Sequence, residues 1–171
     1  AAGLLAAKAA AEPNAPEIPV TPFTAGDTIK LGPFTVEAIP VAHSIPEAVA
    51  LAITTPLGTV VHTGDWKIDP TPVGSWATDL DRLRALGDAG VLALVCDSTN
   101  VLRDGASPSE RDVAATLTDL VASAPGRVAV TTFASNIGRI RAVAEAAAAA
   151  GRSVVVMGRA MQRAIGVARE T

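Results

Sequence analysis

The chain of 171 residues carries two histidines, and each follows an apolar, β-branched run: His43 in Pro-Val-Ala-His-Ser-Ile-Pro and His62 in Val-Val-His-Thr-Gly-Asp. An imidazole at a strand end followed by a loop can project into a cleft and meet a metal ion or substrate, whereas one within a strand packs or hydrogen-bonds locally. Asp65 comes just after His62, beyond Gly64, whose freedom permits the sharp bend that would aim a carboxylate. A nitrogen and a carboxylate delivered from neighbouring strand ends suit a borderline divalent ion such as zinc. Local packing is the competing reading for His43, and His62, on the strand itself, reads as structural. Zinc takes three or four protein ligands, and a two-metal hydrolytic centre needs more. His43 and Asp65 are therefore at most half of a metal site.

Asp97 ends the apolar run Val-Leu-Ala-Leu-Val-Cys, where it is either a polar cap or a chemical group. Phe133-Ala-Ser-Asn136 leads from an expected strand end into a helix N-terminus, where free N–H groups and the helix dipole favour a phosphate. Ser135 and Asn136 would add donors to it, although Ser135 also serves as the N-cap of that helix. Arg139, one turn on, either adds positive charge or lies on a solvated face. The single Cys96 cannot form an internal disulfide and reads as a small buried hydrophobe.

The elements positioning these residues fall into two kinds. After a helical opening run, AAGLLAAKAAAE, four prolines (13, 16, 19 and 22) enforce an extended path. TIKLG, PFTVEAIPVAH, AVALAITT and GTVVHTG then read as antiparallel strands separated by Gly and Pro turns. A polar loop from Asp65 to Thr78 precedes the helix LDRLRALGDAG, which Gly90 should stop. From Val91 the pattern changes to buried strands alternating with helices. VLALVCDS, GRVAVTTF and RSVVVMG read as parallel strands covered on both faces. Between them, one helix is expected with Ser107 as cap, Pro108 at its first position and an apolar face of Val113, Leu117, Leu120 and Val121. Another is expected to open at Ser135, bury Ile137, Ile140, Val143 and Ala144, and end at Gly151. The change of pattern near Asp97 marks the expected domain boundary.

Composition excludes several classes. Apolar residues make up 49% of the chain and charged ones 18%, which favours a packed core over disorder. Aromatics are only 3%, so a base-stacking platform is not evident, and a formal charge of −3 gives no overall basic field. Any nucleic acid must be bound by a local groove. No stretch reaches the length of a membrane span and no signal peptide is evident, so a cytoplasmic location is expected. The chain opens without Met and stops within an expected helix, and neither end looks like a natural terminus.

The series VAHSIPEAVALAI, TPLGTVVHTGDWKID, LVCDSTN, ASPSE, TTFASNIGRI and VVVMGRAMQ, in this order and spacing, closely resembles the ribonuclease J family in the β-CASP branch of the metallo-β-lactamase superfamily. The resemblance runs from about residue 34 to the end. It implies an α/β fold: part of a metallo-β-lactamase αββα sandwich of antiparallel strands (residues 1–96), then the start of a parallel βαβα β-CASP domain (97–171). It also implies an RNA phosphodiester hydrolase, both endonuclease and 5′-exonuclease, with two zinc ions at the junction of two domains. By position, His43 looks like a zinc ligand and Asp65 like the carboxylate bridging both ions. Asp97 looks like the first acidic residue of the β-CASP segment, supporting a later His near the leaving group, and Ser135 and Asn136 look like RNA contacts.

Departures from the family pattern narrow this. The His-x-His-x-Asp-His cluster is absent and would lie upstream, the later β-CASP histidines would lie beyond Thr171, and Trp66 stands where the family commonly has Phe. The expectation is an internal fragment, inactive alone and holding zinc weakly or not at all, of a protein that self-associates as a homo-oligomer. Two other readings remain open: a small-molecule hydrolase of the same superfamily, against which the βαβα half argues, and a non-catalytic scaffold in RNA processing.

Overall fold

The computed structural model describes residues 2–170. The chain divides into two compact units, one comprising Phe23–His43 and Glu47–Ser109, the other the segment through Pro22, Ser44–Pro46 and everything from Glu110 onward. The fold is mixed α/β around one five-stranded mixed sheet.

In the second unit, helix α1 (Ala2–Ala9) contacts the last helix of the chain and buries no residue of its own. In the sheet unit, β1 (Thr28–Leu31) and β2 (Phe34–Pro40) are joined by Gly32-Pro33, where Gly32 adopts a φ of +60° that a primed hairpin turn accepts. β3 (Val49–Thr55) and β4 (Gly58–His62) continue the antiparallel meander, with Leu51 opposite His62. Helix α2 (Leu80–Ala89) then provides the crossover that a parallel neighbour requires, and β5 (Ala93–Val95) pairs parallel to β4 with His62 opposite Val95. The sheet order is β1-β2-β3-β4-β5.

The core follows from the period-two pattern of these strands. Ile39, Val41, Ala50, Ala52 and Val61 are buried with Leu86 of α2, and Trp66, Leu83 and Val91 pack against them. Asp79 caps α2 by accepting the Arg82 N–H at 2.8 Å, and Gly90 ends it with a φ of +95°, as expected. Arg82 reaches back from α2 to clasp Glu37 of β2 with two hydrogen bonds of 2.6 and 2.7 Å.

The helical unit contains α3 (Glu110–Ser123), α4 (Ile137–Ala149) and α5 (Arg159–Glu170). α3 and α4 pack together, and α4 buries a face of small residues, Gly138, Ala142, Ala146 and Ala147. Arg152 ties the segment after α4 to the end of α3 by donating to the carbonyls of Gly126 and Ala124.

Several local expectations are corrected. Residues 126–133 and 152–158 form no ladder among the described residues, and Val155 and Met157 are exposed. They instead line a groove with Ile140 of α4 and Met161 of α5. An apolar β-branched run becomes a strand only when a neighbour pairs its backbone, and none of the described residues does so. β5 does pair, but it forms a sheet edge with Leu94 62% exposed and is not covered on both faces. Cys96 is likewise exposed, not buried. α3 starts at Glu110, two residues beyond the expected first position at Pro108, and of its expected face Val121 is buried whereas Leu120 is exposed. In α4, Ala144 is exposed and Ala146 and Ala147 carry the buried face. No helix among the described residues is long and apolar enough to cross a membrane.

Candidate metal site

Three chemistry-bearing residues of the sheet unit come from three segments: His43 after β2, Asp65 after β4, and Asp97 after β5. β2 ends at Pro40, and Ala42 forms an isolated antiparallel bridge with Lys67, the Lys67 N–H donating to the Ala42 carbonyl at 2.8 Å. This bridge draws the segment bearing His43 alongside the segment bearing Asp65. Gly64 makes the bend between β4 and Asp65, with a φ of +59° and room for a Cβ only 3.3 Å from the Val49 carbonyl oxygen. A larger residue there would be strained twice, by its backbone and by this contact.

His43 Nε2 stands 4.0 Å from Asp65 Oδ2, beyond hydrogen-bond reach and wider than the roughly 3.3 Å between two ligands of a tetrahedral zinc ion. His43 Nδ1 is buried and, among the described residues, is the one buried side-chain nitrogen or oxygen without a hydrogen-bond partner. Leaving such an atom unsatisfied costs about 1–3 kcal/mol; it is the opposite ring nitrogen from the one that faces Asp65, so it is not the donor toward an ion shared with Asp65. The Asp65 side chain is 78% exposed and open to a ligand. The donor set thus fits zinc, but only in part. Among the described residues no group of three or more His, Cys, Asp or Glu could hold a metal ion.

Asp97 is in contact with the same region. Its carboxyl lies below the usual range, chiefly because the Thr99 hydroxyl and N–H donate to it at 2.6 and 2.9 Å; burial opposes this, and a backbone hydrogen bond from Trp66 and the charge of His43 reinforce it. His62 Nδ1 accepts the Gly64 N–H at 3.0 Å, which makes it a brace of the same bend.

Two threonines were not singled out by sequence. Thr63 is 2% exposed; its hydroxyl donates to the Gly64 carbonyl at 2.8 Å and accepts the Asp97 N–H at 3.1 Å. The Thr78 hydroxyl donates to the Lys67 carbonyl at 2.7 Å and accepts the Ala42 N–H at 2.9 Å. Position in His-Thr-Gly-Asp was a signal for Thr63. Thr78 precedes a helix whose cap is Asp79, so its sequence gives no sign of this use.

Ser135 and Asn136 lie in the helical unit. Asn136, not Ser135, caps α4: it is 7% exposed and its Oδ1 accepts the Arg139 N–H at 2.9 Å. Arg139 is not a free charge, because its guanidinium is paired with the Glu110 carboxylate at 3.0–3.1 Å.

Residues 125–171 match the family model described as the ribonuclease J β-CASP domain. The chain is 60% identical, over 99% of its length, to a ribonuclease J of Sinorhizobium meliloti, and 50% identical over 81% to one of Mycolicibacterium smegmatis. It spans 30% and 25% of those two relatives. A crystal structure of a protein of unknown function from Enterococcus faecalis shares the fold, with a TM-score of 0.63 over 84% of this chain and 37% of that one, at 20% identity. Residues 125–171 thus resemble a β-CASP domain of the metallo-β-lactamase superfamily, in a chain of mixed α/β fold. Within that superfamily, the protein it resembles along nearly its whole length is ribonuclease J.

Proposed function

We propose that the chain is a segment of a zinc-dependent ribonuclease of the ribonuclease J type, hydrolysing RNA phosphodiesters both internally and from the 5′ end. The observation that carries this is the 60% identity to a ribonuclease J, together with His43 Nε2 standing 4.0 Å from Asp65 Oδ2. Residues 1–96 would be the C-terminal part of the metallo-β-lactamase-like domain and 97–171 the N-terminal part of the β-CASP domain. Two zinc ions, when bound, would supply an activated hydroxide and offset the charge of the transition state.

This chain's own residues do the holding. His43 would fix one ion and Asp65 would bridge both, the remaining ligands coming from outside the chain. Asp97, kept ionised by Thr99, would orient a general acid near the departing oxygen. At the start of α4, Ser135 and the side-chain NH2 of Asn136 would contact an RNA phosphate, the Asn136 backbone N–H being bonded to the Phe133 carbonyl. The full-length protein would act in the cytoplasm as a homo-oligomer, whereas this chain alone would be inactive.

Metal analysis and RNA cleavage assays on the chain and on the full-length protein test this. Zinc and cleavage are expected in the full-length protein, with neither at stoichiometric level in the chain. A full-length protein without zinc would overturn the metal reading, and robust cleavage by the chain alone would overturn its inactivity.

A further inference from the structure

The segments bearing His43, Asp65 and Asp97 are not held together by contacts among those three side chains. His43 and Asp65 are beyond hydrogen-bond distance, and Asp65 is largely exposed. Beside the backbone bridge between Ala42 and Lys67, a pair of threonine hydroxyls spans the segments, each donating to one and accepting from another. Thr78 Oγ1 donates to the Lys67 carbonyl, two residues after Asp65, and accepts the N–H of Ala42, the residue before His43. Thr63 Oγ1 donates to the Gly64 carbonyl, next to Asp65, and accepts the N–H of Asp97. The Thr63 N–H extends the β4–β5 ladder by donating to the Val95 carbonyl at 2.9 Å. Thr63 and Thr78 are 2% and 9% exposed, so water cannot readily take over these bonds.

We propose that Thr78 and Thr63 are the positioning residues of the candidate metal site, Thr78 setting the His43–Asp65 separation and Thr63 setting Asp65 relative to Asp97. This inference rests on the zinc reading of the site. Each hydroxyl is bound as both donor and acceptor, a role valine cannot fill although its shape is nearly the same, whereas serine keeps the hydroxyl and loses only a methyl. Groups that orient metal ligands without touching the ion commonly change affinity by about 10–100-fold when removed.

The test is a zinc titration of the metal-stripped full-length protein against a competing chelator, with melting temperatures measured on the same samples. Thr78→Val and Thr63→Val are each expected to weaken zinc binding about 10-fold or more, while Thr78→Ser and Thr63→Ser stay within about threefold of the unsubstituted protein. Ser109→Ala is the control: it removes a buried hydroxyl of the same unit, which pairs with Thr71 at 2.7 Å. It is expected to lower the melting temperature without weakening zinc binding. If the valine variants lose melting temperature but bind zinc normally, or if serine fails to rescue, the positioning role is overturned. Should one valine variant not fold, the other and the two serine variants still decide the matter. An unsubstituted protein that binds no zinc overturns the metal reading first, a result distinct from normal binding by the variants.

Discussion

Replacing Gly64 with alanine should destabilise the sheet unit more than the same replacement at another glycine of positive φ. At φ +59° an L-residue meets a left-handed penalty of roughly 1–2 kcal/mol. The added Cβ would also lie 3.3 Å from the Val49 carbonyl oxygen, a backbone atom held in β3, so the bend or the strand must give by a few tenths of an ångström. Crowding of this kind adds about 1 kcal/mol or more, for a total of roughly 2–3 kcal/mol. Gly26 is the comparison, because it lies in the same compact unit at φ +90° with nothing near its missing Cβ. Gly26→Ala therefore carries the backbone penalty alone, about 1–2 kcal/mol. The entropic gain from stiffening the unfolded chain is common to both and cancels in the difference. Urea unfolding followed by tryptophan fluorescence reads this directly, since both tryptophans, Trp66 and Trp76, belong to this unit. Equal losses for the two variants would refute the argument that Gly64 is required by the approach of Val49.

Other outcomes follow from the same geometry. The Arg82 hydrogen bonds hold Glu37 below its ordinary value of 4.5, so their stabilisation is full above that pH and is lost as pH falls through the lowered value. With side chains 41% and 27% exposed, the pair is worth no more than about 1 kcal/mol; Glu37→Gln should flatten that acid-side loss in pH-dependent unfolding curves. Asn136→Ala should cost about 1 kcal/mol by removing the cap of α4, and Ser135→Ala much less, which thermal unfolding of the two variants would compare. Ile39→Ala should cost about 2–5 kcal/mol, because the side chain is fully buried, whereas Leu120→Ala should stay within about 0.5 kcal/mol at a position 59% exposed.

Local sequence was sufficient wherever the deciding interaction is short in range. β1 to β4 follow from period-two runs bounded by Gly and Pro turns, and α2 from its apolar spacing and Gly90, because hairpin pairing and helix capping join near neighbours. The order and spacing of the motifs around His43, Asp65, Asp97 and Ser135 also carried the ribonuclease J resemblance. Tertiary structure alone decided what depends on partners distant in the chain. Thr78 bonds across 36 residues to Ala42 and Thr63 across 34 to Asp97, separations that no periodicity encodes. Arg139 reads either as added positive charge or as part of a solvated helix face until Glu110, 29 residues away, is seen to hold it. The runs at 126–133 and 152–158 have strand composition but form no ladder among the described residues, because a strand exists only with a second backbone to complete its hydrogen bonds. The sequence thus determined which residues could do chemistry, and the long-range pairing of the backbone decided which of them meet.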